Sequence, residues 1–436
     1  MDVCPDCFDN DGLRRRIVAI RKEASVGNCQ FHPTKKGVPI ARVASIIDPV
    51  FRDLYWATGD DGNYWSEERG SSLHDVIYDL TEADDDLVIN ALIDALEAQD
   101  HYWEPDGEEP FYSEDNLYTL QEDVGGLHLV NWQVFQRSLM FESRFFNPDA
   151  EHVLNDIFHG VQQLRDANGQ GPVYMIEPGT AEARFIRARN ANSPEEMKKI
   201  RGDLAKELGP PPEQLRKAGR LNPAGIHAFY GAFDLATCIA ELRPSVGGRV
   251  ISAEFSLTRP ICVLDTTRFA NNPKSVNLFA KGALERARQW RFMKTFMEEI
   301  ARPVIPGEEH LQYLPTQAVA EFLNRRFQVA FAGEKRGIDA IIFGSAQRPG
   351  GKNIVVLGDA AIAGLPPQEA GAPQPEDDDK DDFDDWFDQA LKLVKADKPA
   401  GLIADSQSVR WTRITGAEFA TAPDGEEADE APDLGI

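Results

Sequence analysis

The chain is poor in cysteine, has no apolar run near the roughly eighteen residues of a membrane span, and carries no excess of positive charge. Each shortage excludes something. Five cysteines in 436 residues, three of them within the first 29, do not make the disulfide framework of a small secreted domain. The start, Met1-Asp2-Val3-Cys4-Pro5-Asp6-Cys7, has neither a basic region nor the apolar stretch of a secretory leader, so a cytoplasmic protein is expected. With 46 basic against 72 acidic residues the formal charge is -26, which repels phosphate backbones. The basic runs Leu13 to Lys22 and Met197 to Arg201 read as too isolated to offset it, so no nucleic acid and no membrane is expected as partner. What remains is a globular chain, 42% hydrophobic, long enough for two or three domains.

The scarce cysteines are nevertheless placed with a purpose. Cys4 and Cys7 form a C-x2-C pair, and Cys29 with His32 a C-x2-H pair; each has the bite for one tetrahedral ion, and zinc is the expected occupant. The alternative is a set of unrelated reduced thiols. Cys238 and Cys262 sit in apolar surroundings and read as small core residues. Between the two candidate ligand pairs, Gly12 to Glu23 is a basic, helix-like run.

Residues 40 to 160 are acidic, aromatic and helical in pattern, with Leu87, Val88, Ala91, Leu92 and Leu96 recurring at three and four. Glu82 to Asp86 reads as a solvated helix cap. Arg69 and His74 have the spacing of the catalytic pair of HEPN-type ribonucleases, but Gly70, Ser71 and Ser72 make a loop and cap there, and the capping reading is preferred. A linker, Asp166 to Gly171, precedes a change to mixed strand and helix. Strands are expected at Val173 to Ile176, Ala183 to Arg189, Arg249 to Leu257 and Ile261 to Leu264. Helices are expected from Ser193, over Ser275 to Ile300, and from Pro315 to about Phe327.

The densest stretch is Gly219 to Pro244. Arg220 lies in a loop with Gly219, Asn222, Pro223 and Gly225; Ile226 to Gly231 reads as a short buried strand; Asp234 caps a helix over Leu235 to Leu242 that Pro244 ends. Glu241 falls in the last turn, where the helix dipole disfavours a carboxylate, so its placement points to function rather than helix stability. Farther on, Asp339 to Phe343 and Asn353 to Leu357 form a β-hairpin, with Ser345 and Gln347 in its glycine-rich loop. Taken alone, Ser345 is either a ligand contact or a turn serine satisfying its own backbone. Arg220 and Glu241 alone are open to reading as an ion pair bracing loop to helix.

After Gly364 the chain turns rich in Pro, Ala and Gln, then becomes acidic with interleaved aromatics at Phe383, Trp386 and Phe387; it reads as disordered, either a solvated tail or a segment for a basic partner.

The strand Phe185 to Arg189, the block GRLNPAGIHAFYGAFDLATCIAELRP, the helix start Leu314 to Gln317, and Gly337 to Ser345 with its GGKN turn together resemble the RES-domain proteins, named for an Arg, a Glu and a Ser. The first 160 residues resemble, more loosely, the HEPN/RES-type N-terminal region of the longer members. The resemblance implies an α+β fold: a mixed-sheet, ADP-ribosyltransferase-like RES domain at 172–360 preceded by a mostly helical domain at 1–165, with an acidic, largely disordered tail at 361–436. It implies a toxin-like enzyme that consumes NAD as substrate, cleaving the nicotinamide–ribose bond by phosphorolysis or hydrolysis, with NAD and inorganic phosphate as small partners and an Xre-type antitoxin as protein partner. Alternatives are ADP-ribosyl transfer to a macromolecule and a non-catalytic partner-binding role. The family's catalytic residues fall on Arg220, Tyr230, Glu241 and Ser345; Arg187, Asn222 and Gln347 are expected to contact substrate. In similar proteins the N-terminal region ends in a second C-x2-C, where this chain has His32.

Overall fold

The structure, a computed structural model, describes residues 1–22, 27–58, 70–101, 110–120, 126–271, 273, 277–280, 282–302, 307–331, 333–365 and 399–416. Contacts divide the chain into two units, Met1–Tyr174 with Leu264–Phe322, and Met175–Val263 with Leu323–Ile436.

In the first unit the helices Ile40–Leu54, Leu73–Thr81 and Asp86–Glu97 close on a core centred on Phe51, whose ring lies within 6 Å of those of Tyr55, Phe111, Tyr112 and Tyr118. Their starts are set locally. Ser72 accepts from the amide of Asp75 and Asp85 from that of Leu87, so both expected caps are caps. Val88, Leu92 and Leu96 are buried as their spacing requires, while Leu87, in the first turn, faces solvent. His74 is the second residue of the helix that Ser72 caps, with Nε2 3.8 Å from an Asp86 oxygen. Arg69 lies outside the described residues.

The same unit takes in helices that the sequence pattern assigns to the later domain. Ala283–Ala301, shorter at its start than expected, buries Phe292, Met293 and Phe296; the two phenylalanines meet Trp132, and Phe296 also meets Phe158. Buried Gln289 donates to the carbonyls of Ile157 and His159, 2.9 and 2.7 Å away. These long-range contacts override the expected boundaries at 165 and 172, because a helix joins whichever core covers its apolar face. Among the described residues no helix is long and apolar enough to cross a membrane.

The second unit is built on a nine-stranded sheet whose strands, in chain order, are β1 (Val173–Ile176), β2 (Arg184–Asn190), β3 (Ala228–Ala232), β4 (Arg249–Leu257), β5 (Ile261–Asp265), β6 (Ala340–Gly344), β7 (Lys352–Leu357), β8 (Ala363–Gly364) and β9 (Leu402–Arg413). Their order across the sheet is β8-β9-β4-β2-β3-β7-β6-β5-β1. The β8/β9 pair is parallel and the pairs from β9 to β6 are antiparallel, so the sheet is mixed and the fold is α+β. The chain passes between the units within β1, within β5 and within the helix Leu314–Arg325.

One expectation is overturned here. The chain beyond 360 is not all tail: β9 pairs with β4 along most of its length, across a bulge between Asp405 and Arg410, and buries Leu402 and Ala404 completely. Its sequence, LIADSQSVRWTR, has too few apolar residues to announce a strand, and pairing with the strongly apolar β4 supplies what its own pattern lacks. The acidic stretches at 376–389 and 424–433 lie outside the described residues.

Candidate active site and metal centre

The site grows from four adjacent strands and one helix of the second unit. Arg187 lies on β2, Tyr230 on β3, Asn353 on β7, and Ser345 follows the end of β6. The helix Leu235–Leu242 starts where it should, with Asp234 accepting at 2.8 Å from the amide of Thr237, and ends at Arg243 in the left-handed region. It packs on the sheet through Cys238, Ile239 and Leu242 against Ile186, Ala188, Ala232 and Val250. Strand alternation then sorts the side chains. Ala232 pairs with Asn353, and Tyr230 with Val355, so Tyr230 and Asn353 share the face that this helix covers.

Glu241 is exposed and its Oε1 accepts two hydrogen bonds: from Ser345 Oγ at 2.6 Å and from Asn353 Nδ2 at 2.7 Å. These donors bear on both open alternatives. Among the described residues Glu241 is bound by Ser345 and Asn353, and Ser345 does more than satisfy its own turn. Its hydroxyl also accepts from the amides of Gln347 and Arg348, at 3.2 and 3.1 Å, so the oxygen is fixed from both sides. Two donors at one oxygen offset the unfavourable helix dipole and leave Oε2 for another group.

Asn353 escaped the sequence reading. It is only 6% exposed, and a buried amide near the start of a hairpin strand needs a partner; the GGKN turn is the available signal. Arg348 was missed as well. It donates to Asp234 at 2.7 Å and to Thr237 at 3.0 Å, tying the serine loop to the start of the helix that carries Glu241. Burial would raise the Asp234 pKa, but bonds from Thr237 and the charge of Arg348 outweigh it and hold the carboxyl below its ordinary range. The tie is therefore present above that range and is lost as acid protonates Asp234.

Gly351 seats the hairpin. A Cβ there would stand 2.5 Å from Thr237 Oγ1 and 2.9 Å from its Cγ2, and Thr237 is fully buried. Gly351→Ala is expected to push the serine loop off the helix and to cost about 1–3 kcal/mol of stability, read as a lower urea midpoint with unchanged m-value.

The loop of Arg220 is held differently from expectation. The Tyr230 hydroxyl is not free: it donates to Asn222 Oδ1 at 2.8 Å and accepts from the Leu221 amide at 3.1 Å. Asn222, expected to contact substrate, is buried and spends its amide on the carbonyls of Lys217, Pro223 and Ile226. Both residues shape the loop, because a buried amide must be satisfied locally and the loop's own carbonyls are the nearest acceptors. Gly219 permits this, since a Cβ would come within 2.6 Å of the Tyr230 hydroxyl. Tyr230→Phe leaves the Asn222 oxygen short of a donor and is expected to destabilise by about 1–3 kcal/mol, measured by thermal or urea unfolding.

Arg187 does not join the Glu241 cluster. Ile186 and Ala188 face the helix, so Arg187 alternates to the other side of β2, where its guanidinium lies 5.1 Å from the Phe229 ring and donates to the Tyr230 carbonyl at 3.0 Å. Burial pushes its pKa down to about 10, so it stays charged at neutral pH. Its contacts make it a brace for β3 beneath Tyr230. Gln347 is half-buried beside Ser345, with its backbone amide held by that serine.

In the first unit Cys4, Cys7, Cys29 and His32 come together, their ligand atoms all within 4.8 Å of one another. Cys7 Sγ is 3.9 Å from Cys4 Sγ, 3.5 Å from Cys29 Sγ and 3.5 Å from His32 Nδ1; Cys4 Sγ is 3.4 Å from the same nitrogen. A tetrahedral zinc with three sulfurs and one imidazole has edges of about 3.5 to 3.8 Å, so the donor set fits the ion. Burial pushes the thiols of Cys4 and Cys7 up. At Cys29 burial is outweighed by the amides of His32 and Phe31 and by the side chains of Cys7 and His32, and its thiol comes down to about 7. Buried thiolates this close repel one another, and a divalent cation removes that cost.

A family model described as the RES domain matches residues 187–377, a span that includes Arg220, Tyr230, Glu241, Ser345 and Asn353. No curated protein matches the chain, and no solved structure does.

Proposed function

We propose that this chain, whose residues 187–377 match the RES-domain family model, consumes NAD by cleaving the bond between nicotinamide and ribose. The observation that carries the reading is the Glu241 carboxylate, exposed and fixed through one oxygen by Ser345 and Asn353.

Departure of neutral nicotinamide takes the bonding electrons with it and leaves positive charge on the ribose anomeric carbon. A fixed carboxylate stabilises that charge, and here it is pre-oriented by two bonds, so little reorganisation is needed. Oε2 is the oxygen available to a ribose hydroxyl or to the developing cation. Arg220, on its braced loop, is a fixed-charge partner for the pyrophosphate. Tyr230 and Asn222 hold that loop in place. Capture by water yields ADP-ribose and a proton; capture by phosphate yields the 1-phosphate of ADP-ribose. The cluster of Cys4, Cys7, Cys29 and His32 would hold a structural zinc that ties the start of the chain together.

Purified protein incubated with NAD, with and without phosphate, tests the reading by nicotinamide release. Wild type is expected to release it and Glu241→Ala to lose nearly all activity; equal inertness of both overturns the proposal. Dependence on phosphate separates phosphorolysis from hydrolysis, and label from NAD on macromolecules would redirect the reading to ADP-ribosyl transfer.

A further inference from the structure

The sequence separates its basic residues into short runs, yet the first unit gathers five of them around one cleft. Between the two metal-ligand arms lies a cavity of about 1000 Å³ lined by Arg14, Arg15, Arg21, Lys35 and Lys36, with Val18 among them. The helix Asp11–Ile20 buries Gly12, Leu13 and Ile17 and turns Arg14, Arg15 and Val18 to the cleft, continued by Arg21 one turn on. Lys35 and Lys36 arrive on the other arm, just after His32.

Charge is unbalanced in this cleft. Its lining has five cations against two carboxylates, Asp6 and Asp11. Asp6 is shared, 2.8 Å from Arg14 and 2.7 Å from Lys35, and Asp9 stands 4.0 Å from Arg14, so the excess positive charge rests on Arg15, Arg21 and Lys36 against Asp11. Asp11 lies 3.9 Å from Arg15, whose side chain is 76% exposed. Lys36 donates to a neutral amide oxygen of Asn28 at 2.9 Å, and Arg21 has no carboxylate within ion-pair distance among the described residues. Such an excess, on a chain of formal charge -26, is a local concentration against the overall trend.

We infer that this cleft binds a compact phosphorylated anion of nucleotide size. Guanidinium forks match phosphate oxygens, and the volume is that of a small-molecule site. The overall negative charge selects among anions: a short phosphate chain stays inside the basic cleft, whereas a long polynucleotide would run on along a chain of the same sign. The site lies in the unit without Glu241 and does not depend on the NAD reading.

Calorimetric titration of the full-length protein with magnesium tripolyphosphate, magnesium ATP and a DNA strand of about 20 nucleotides tests this. Saturable binding of tripolyphosphate or ATP is expected, weakened about tenfold or more in Arg21→Ala/Lys36→Ala and severalfold in the exposed single variant Arg15→Ala. Equal affinity for the two phosphates assigns recognition to the phosphate chain, and tighter ATP assigns it to a nucleotide. No saturable binding, unchanged affinity in both variants, or tighter binding of the DNA strand overturns the inference.

Discussion

Glu241→Gln is expected to lower the rate of nicotinamide release from NAD about a thousandfold while leaving the protein at least as stable as wild type. Glutamine keeps the size of the side chain, and its carbonyl oxygen can still accept from Ser345 and Asn353, now 2.6 and 2.7 Å from Oε1. Only the charge is lost. The activity loss follows from removing a pre-oriented group aimed at developing charge, worth roughly 10²- to 10³-fold per group. The stability gain follows from position: Glu241 lies in the last turn of Leu235–Leu242, where removing a carboxylate relieves a dipole clash of about 0.3–1 kcal/mol. Turnover and melting temperature measured on the same preparations should therefore move in opposite directions. A variant that retains full activity would remove Glu241 from the chemistry, and one that is strongly destabilised would make it a structural residue. Asn353→Leu provides a contrast: it removes one of the two donors and leaves the charge, so turnover should fall less than in Glu241→Gln, about tenfold, with little change in KM.

Cys7→Ser has the opposite signature. Its sulfur is the hub of the cluster, near Cys4, Cys29 and His32, and a serine hydroxyl does not replace a thiolate as a zinc ligand. Wild-type protein from zinc-containing medium is expected to carry one zinc per chain, and the variant none. The loss should cost about 5 kcal/mol or more in the first unit, because Cys4, Cys7 and Cys29 are buried in the same core as Val3, Phe8, Leu13, Ile17 and Phe51. Metal analysis and thermal unfolding, with and without a chelator, read this directly. Wild type without zinc whose melting temperature ignores the chelator would mean three reduced thiols beside an imidazole and no metal role. Glu241→Gln should keep its zinc, so the two variants separate the two centres.

Much of this architecture could be read locally. The helix Leu235–Leu242 follows from Asp234 before it and Pro244 after it, the hairpin from two apolar runs flanking a glycine turn, and the gathering of Cys4, Cys7, Cys29 and His32 from two pairs with the right bite for one ion. Such features depend on neighbours in the chain, through caps, turn geometry and side-chain period. The motif order also picks out Glu241 and Ser345, whose side chains the fold brings within hydrogen-bond distance.

Tertiary structure alone decided what those residues do to one another. Ser345 and Glu241 are 104 positions apart, and their 2.6 Å bond exists because β6, β7 and β3 align the hairpin beside the helix. Sheet register also put Asn353 under Glu241 and turned Arg187 to the other face, and it drew Leu402–Arg413 out of an expected tail into the sheet. Closing of the metal-ligand arms brought Lys35 and Lys36 to the arginines of Leu13 to Lys22, making a basic cleft from runs that look isolated in sequence. Composition records which charges, amides and apolar groups a chain has. Which of them meet is fixed by strand register and by the burial that each element obtains from distant partners.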